Sequence, residues 1–164
     1  MKINKIILLL FFICIHRYGY TKEEDTNQPI HISSNKQHVY LKENRIVFSG
    51  HVRVTQGSIH IEAENLTMIK NDNSKQKILI AQGQPATYSQ VIDEHPAIAS
   101  ANKITYALED KMVFLNGKAN IKQQDSLVQG ELITYNALDK EIIAQGNSDK
   151  SERVLTIFQP EKGL

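Results

Sequence analysis

The chain has 164 residues, with 19 Lys and Arg against 18 Asp and Glu and a formal charge of +1. That length suits one domain with a real core and is short for two. A near-neutral chain without a basic cluster is a poor partner for a phosphate backbone, which sets nucleic acid aside.

Lys2 and Lys5 precede an apolar run over 6–15, followed by His16, Arg17 and Gly19. A basic head and an apolar stretch too short to cross a bilayer as a stable helix read as a secretory signal peptide over 1–20. No A-x-A precedes the acidic stretch, so the cut falls loosely between Arg17 and Glu23; an uncleaved membrane anchor is the competing reading. Cys14, the only cysteine, lies inside the run behind Ile13 rather than a small residue, which disfavours lipid attachment. Export would remove it, leaving no disulfide, thiol nucleophile or thiolate metal site. Losing Lys2, Lys5 and Arg17 also takes the basic count from 19 to 16 against 18 acidic residues, a net charge of −2.

From about Gln28 the apolar pattern has period two. Ile30-His31-Ile32-Ser33, His51-Val52-Arg53-Val54-Thr55 and Ser58-Ile59-His60-Ile61-Glu62-Ala63 alternate as strands do when one face lies on a core. Further strands are expected at 37–41, 45–49, 66–70, 77–81, 86–90, 97–100, 103–108, 111–115, 119–123, 127–129, 132–136, 141–144 and 154–158, rich in Val, Ile, Thr and Tyr. Turn residues separate them at Lys42-Glu43-Asn44, Ser49-Gly50, Gln56-Gly57, 71–73, Gln82-Gly83, Glu109-Asp110, Asn116-Gly117, Ala137-Leu138-Asp139 and Gln145-Gly146. The stretch 101–108 could be argued as a helix, but Ile104-Thr105-Tyr106 favours a strand.

A repeat runs through this pattern. The segment from Phe48 to Gln56 aligns, 67 positions on, with that from Leu115 to Gln123, and the register continues through Ile61 and Val128, Glu64 and Glu131, and Thr67 and Thr134. Gly50, Gly83, Gly117 and Gly146 recur at about thirty positions. Several short strands per repeat suggest stacked β units sharing one interior, against a generic sandwich with chance similarity.

The sequence offers no argument for an enzyme. His31, His51 and His60 occupy the polar phase of their strands, and neither they nor His38 and His95 form an H-E-x-x-H motif. Glu62 and Glu64 share a strand face without a recognisable partner, and Ser58 and Ser126 lack a nucleophile elbow. No metal or cofactor is expected. The apolar faces close as an ordinary packed core, or they leave an open trough for acyl chains, each buried methylene contributing about 0.8 kcal/mol.

Six blocks carry a family resemblance: Asp25-Thr26-Asn27-Gln28-Pro29-Ile30-His31-Ile32, 48–57 from Phe48 to Gly57, Gly83-Gln84-Pro85-Ala86-Thr87-Tyr88, Ile104-Thr105-Tyr106-Ala107-Leu108, Val113-Phe114-Leu115-Asn116-Gly117 and Gly130-Glu131-Leu132-Ile133-Thr134-Tyr135. In order and spacing they resemble the OstA-like family of periplasmic lipopolysaccharide transport proteins, over 25–160, with 161–164 as a short tail. The resemblance implies an open, slightly twisted antiparallel β-jellyroll of about sixteen strands with a V-shaped cross-section. It implies a carrier that is not an enzyme. Lipopolysaccharide would come from an LptC-like inner-membrane protein and pass to the N-terminal periplasmic domain of an LptD-like outer-membrane protein, with copies joined head to tail through strand edges.

Carried residue by residue, the resemblance implies that Ile30 and Ile32 line the apolar groove at its donor end and that Tyr88, Tyr106 and Leu108 face acyl chains, with Thr26 close by. Alternation adds Val52, Val54, Ile59, Ile61, Ile121 and Val128. Lys70 and Lys77 flank the loop 71–75 as candidates for head-group phosphates, or as solvated turn residues. Tyr88 stands where the family pattern has Phe, so its hydroxyl needs water or a partner. Beyond Pro160 only a short polar tail follows the far edge.

Overall fold

The computed structural model describes residues 24–71 and 75–158. The expected signal peptide, 1–20, and the tail, 161–164, lie outside the described residues. After a 3-10 turn at Asp25–Asn27, and with further 3-10 turns at Leu41–Glu43 and Ser148–Lys150, the described residues form ten strands: β1 (His31–Ser33), β2 (Lys36–Tyr40), β3 (Arg45–Gln56), β4 (Ile59–Lys70), β5 (Lys77–Ile92), β6 (His95–Ala107), β7 (Met112–Gln123), β8 (Ser126–Asn136), β9 (Glu141–Gln145) and β10 (Leu155–Phe158). All belong to one antiparallel sheet; β1 and β2 both pair with β3, and β9 and β10 both pair with β8.

Each of β3 to β8 is interrupted near its middle by a register shift: Ser49/Val52, Glu62/Asn65, Gln82/Ala86, Ser100/Lys103 and Asn116/Ala119 on successive strand pairs. These bulges line up across the sheet and fold it into two leaves. Leaf one carries β1, β10 and the strand halves next to the turns 57–58, 93–94 and 124–125; leaf two carries β2, β9 and the other halves. Six bent strands counted twice, with four short edge strands, give sixteen segments, which agree with the sixteen expected from the alternation.

The expectation that Ser49-Gly50, Gln82-Gly83 and Asn116-Gly117 are turns is corrected: the chain does not reverse there. It bends and keeps the same neighbour strands on both sides of the bulge. Gly50 and Gly117 both take φ +79°, and an added Cβ would stand 2.8 Å from Asn35 Nδ2 and Asn102 Nδ2 respectively. His51 and Lys118 follow at φ 49° and 51°. Gly50 and Gly117, His51 and Lys118, and Asn35 and Asn102 each lie 67 positions apart, so the repeat is one bend built twice.

Inward residues follow from the cross-strand register. Beside the bend, leaf one turns small side chains inward: Val52 opposite Ala63, Ala86 opposite Ala101 and Ala119 opposite Gly130. Small residues let the leaves converge there. Farther out, leaf one presents the row Ile32, Val54, Ile61, Tyr88, Ala99, Ile121 and Val128. Leaf two answers with Phe48, Leu66, Ala81, Ile104, Leu115 and Ile133, then Ile46, Met68, Leu79, Tyr106, Val113 and Tyr135. Side chains of both leaves form one apolar cluster.

Candidate functional site: the apolar interior and its mouth

In mid-sheet this interior is closed by its own side chains. Val52, Val54, Ile59, Ile61, Tyr88, Tyr106, Leu108 and Ile121, all expected to line a groove, are buried. Ile30, Ile32 and Val128 are half-buried and pack against the same cluster. An open trough is therefore not what the structure holds along its length: the leaves touch. Toward both edges the contact thins. In one inward row of leaf two, Leu79 is 0 % exposed and Tyr106 3 %, whereas at the row's ends Val39 on β2 is 43 % exposed and Ile142 on β9 is 40 %. Phe158 on the other far-edge strand is 74 % exposed. The apolar interior thus runs from one sheet edge to the other and emerges at each, where β1, β2, β9 and β10 carry no outer neighbour among the described residues.

The alternation and resemblance found leaf one and missed most of leaf two. Phe48, Leu66, Leu79, Ile104, Leu115, Ile133 and Tyr135 face the same interior. Their signal was present in the period-two strands 45–49, 66–70, 77–81, 103–108, 111–115 and 132–136, but a strand read alone does not say which leaf it joins.

The mouth, opposite the bend, is where hairpins of the two leaves meet, and polar groups join them. Gln56, at 4 % exposure the one buried polar side chain among the described residues, donates from Nε2 to the carbonyls of Thr26 and Gln28, 3.1 Å each. Its Oε1 accepts from the Tyr106 hydroxyl at 3.1 Å. The Asp25 carboxylate accepts from Ser58 N at 2.7 Å, Ser58 Oγ at 2.6 Å and Gln90 Nε2 at 3.1 Å. Lys111 Nζ stands 2.6 Å from Glu24, and Lys140 Nζ 2.8 Å from Asp93. These pairs line a cleft of about 500 Å³ together with Ile92, Tyr135 and Ala137. Thr26, expected near lipid, lies half-buried in the segment that crosses this mouth.

Three tyrosines face the mouth. The Tyr88 hydroxyl donates to Gln90 Oε1 at 2.8 Å, which answers the need its ring position raised. Burial, with the nearby Tyr106, Tyr135 and Asp25, pushes the Tyr88 hydroxyl far above the ordinary phenol range. Tyr106 is pushed up to about 12, by burial first and then by Asp25 and Glu109. Tyr135 moves up as well, through burial and Asp93. All three are neutral donors over the physiological range. Glu24 moves the other way, lowered by its hydrogen bond to Lys111 and by that lysine's charge.

Lys70 and Lys77 are exposed cross-strand neighbours at one tip of leaf two, and Lys77 Nζ lies 3.8 Å from Glu109. The structure does not bring them to the cleft that holds Lys111 and Lys140. A larger cleft of about 840 Å³ follows the outside of the bend, lined by Asn65, Gln82, Asn102 and Lys118. Those residues have the opposite phase to the inward Leu66, Ala81, Ala101 and Ala119, so it faces away from the apolar interior. His31, His51 and His60 are exposed. No cluster of three or more metal-ligating side chains, and no helix long and apolar enough to cross a membrane, occurs among the described residues.

Comparison with known proteins gives consistent matches. The model of the family described as LptA/(LptD N-terminal domain) LPS transport protein matches residues 31–141. The lipopolysaccharide export system protein LptA of Haemophilus influenzae is 32 % identical over 97 % of this chain and 93 % of its own length. That of Escherichia coli K12 is 39 % identical over 84 % of this chain and 75 % of its own. The crystal structure of LptH, the LptA-homologous periplasmic component of the lipopolysaccharide transport device of Pseudomonas aeruginosa, superposes with a TM-score of 0.75 at 25 % identity, over 83 % of this chain and 99 % of that one. The bent sheet with its edge-to-edge apolar interior and the agreement of these matches lead to one assignment: the chain belongs to the LptA/LptD N-terminal domain family of lipopolysaccharide transport proteins.

Proposed function

We propose that the protein is a periplasmic carrier, not an enzyme, that holds the acyl chains of lipopolysaccharide between its leaves and hands them along a bridge from the inner to the outer membrane. The observation that carries this reading is the uninterrupted set of inward apolar rows that emerge at both sheet edges. A stack of such sheets, edge to edge, would offer one continuous apolar path. The β1/β2 edge would receive cargo from an LptC-like inner-membrane protein. The β9/β10 edge would extend into a further copy, head to tail, or into the N-terminal periplasmic domain of an LptD-like outer-membrane protein, by strand addition. Such contact does not close on itself, and open filaments are its natural product.

Acyl chains would replace contacts that the leaves now make with each other, which is why groove residues are buried in a closed protein. Burying each methylene contributes about 0.8 kcal/mol, so several chains offset parting of the leaves. On this reading Ile30, Ile32, Val52, Val54, Ile59, Ile61, Tyr88, Tyr106, Leu108, Ile121 and Val128 contact lipid, with Thr26 at the mouth.

The closed mid-sheet favours a second reading, a packed periplasmic adaptor that binds strand edges and carries no lipid. Photocrosslinkers separate the two. Placed at Ile32, Tyr88 or Leu108 they trap glycolipid if the leaves part around it, while one at the exposed His51 does not. Equal labelling at all four removes the interior assignment, and no labelling at any, with assembly onto a β-rich partner retained, favours the adaptor.

A further inference from the structure

The leaves must part before any chain can enter, and the contacts that hold the mouth are of a different kind from those that hold the interior. The segment 24–28 has no buried residue in its 3-10 turn and is fixed by polar contacts to both sides. Asp25 anchors it to leaf one through Ser58 and Gln90. Glu24 reaches Lys111 in a hairpin of leaf two. Gln56 ties its carbonyls to Tyr106 of leaf two. The seat is shaped for it: Gly57, at φ +57°, has no side chain where Asp25 packs, and a Cβ there would collide with that residue. A second crossing lies farther along, where Lys140 meets both carboxylate oxygens of Asp93 at 2.8 Å. Lys111 and Lys140 occupy like positions, each after an Asp in a leaf-two hairpin with φ 53°, so one turn geometry sends two ammonium groups across the mouth.

We infer that the segment 24–28 together with the Glu24–Lys111 and Asp93–Lys140 pairs is a gate, which holds the leaves shut when the protein is empty and must open sideways for acyl chains to enter. Polar contacts suit that task, because water replaces them when they part, whereas an apolar seal would have to be exposed. The cleft of about 500 Å³ that the pairs line, which also reaches Ile92, Tyr135 and Ala137 of the apolar cluster, is where the first chain inserts. The inference rests on the transport reading above and adds to it the route of loading and the residues that control it.

Zero-length coupling tests it, because a carbodiimide joins only amines and carboxylates already in contact. The exported protein is treated with carbodiimide, and uptake of lipid A from detergent micelles is compared with that of untreated protein. Locking Lys111 to Glu24 and Lys140 to Asp93 should cut the initial uptake rate by about tenfold or more, since a covalent strap removes the open population. In Lys111→Arg/Lys140→Arg, which keeps both charges but offers no coupling amine, treated and untreated rates should agree; the same-leaf pair Lys77–Glu109 still couples there and serves as an internal control. Asp25→Ala, which frees the segment, should speed uptake by roughly tenfold, as expected from the loss of a hydrogen-bonded carboxylate. Equal uptake with and without the lock, a block that persists in the double arginine variant, or slower uptake in Asp25→Ala overturns the gate while leaving transport standing. Absence of uptake by the untreated protein overturns the transport reading itself.

Discussion

The bend and the mouth are the two long boundaries of the same interior, and they are built from opposite materials. At the bend, continuous strands pass from leaf to leaf, leaf one turns small side chains inward beside the fold, and Gly50 and Gly117 let Asn35 and Asn102 pack where a side chain would stand. At the mouth, among the described residues, no strand crosses, and the leaves are joined by one buried glutamine, a handful of carboxylate hydrogen bonds and two ion pairs. A covalent, close-packed boundary facing a polar, reversible one is the construction of a clamp. Global stability should therefore be most sensitive to changes in the closed middle, sensitive to changes at the bend and at the buried glutamine of the mouth, and least sensitive to changes in the ion pairs.

The largest effect is expected where the middle is densest. Ile104 is fully buried in leaf two, with Ala81 and Leu115 as cross-strand neighbours. Ile104→Ala should lower unfolding free energy by about 2–5 kcal/mol, read from urea midpoints at unchanged slope. A cost near zero would mean that the leaves are not packed on each other in solution, and the contrast between boundaries would fail. Next comes the bend. Gly117→Ala forces a side chain into the left-handed region, at a cost of about 1–2 kcal/mol, and presses it against Asn102. Adding Asn102→Ala removes the amide from the clash but keeps the Asn102 Cβ close by, so it should recover part of the steric cost, leave the backbone part, and place the double variant between the wild type and Gly117→Ala. Full recovery would show that φ carries no strain there.

How far the sequence revealed this construction depends on the physical signal each part leaves. Sixteen segments were legible because alternation has a period of two and survives in any half-buried strand. The bend reads locally as turns because a Gly with a polar neighbour has the same chemistry in both, and only the register on either side, which is non-local, tells a kink from a reversal. The repeat of 67 positions pointed to a shared unit, and Asn35 with Asn102 shows that the unit includes residues outside the aligned apolar block. Gln56 reads from sequence as part of a turn with Gly57, since nothing local marks a glutamine whose partners are residues 26, 28 and 106. Lys70 and Lys77 stand out in the sequence as cations beside a loop, whereas Lys111 and Lys140 do not, since which loops converge at the mouth follows from the folding over of the sheet.

Tyr106 gives a mid-sized test on the mouth side. Tyr106→Phe leaves the buried Gln56 Oε1 without its donor, which should cost about 1–3 kcal/mol. It should also reduce the loss of stability in strong base. The Tyr106 hydroxyl is raised from its ordinary value near 10 to about 12, so the folded protein holds that proton longer than the unfolded chain does. Its contribution is complete below about pH 10 and disappears as pH climbs through about 12. Tyr88 and Tyr135, raised as well, share the alkaline loss, and the variant should remove one portion of it. An unchanged pH profile between about 10 and 12 would place the Tyr106 hydroxyl in water rather than on Gln56.

The smallest effect on global stability belongs to the ion pairs. Lys140 and Asp93 are both exposed, and a double-mutant cycle through Lys140→Ala and Asp93→Ala should give a coupling of only about 0.2–1 kcal/mol, fading as salt is raised. Glu24, held in its charged form by Lys111, contributes above the ordinary carboxylate range of pH and loses that contribution as pH falls through its lowered value, so mild acid should leave the pair intact. Breaking either pair need not be felt by the whole fold, because unfolding is governed by the middle and the bend. It should be felt by hydrogen exchange at the hairpins 93–94 and 108–111, where local opening is faster than unfolding. Exchange that rises at those hairpins while the urea midpoint stays fixed is the signature of a reversible mouth on a permanent bend; exchange that rises only in step with global unfolding would make the two boundaries one cooperative unit.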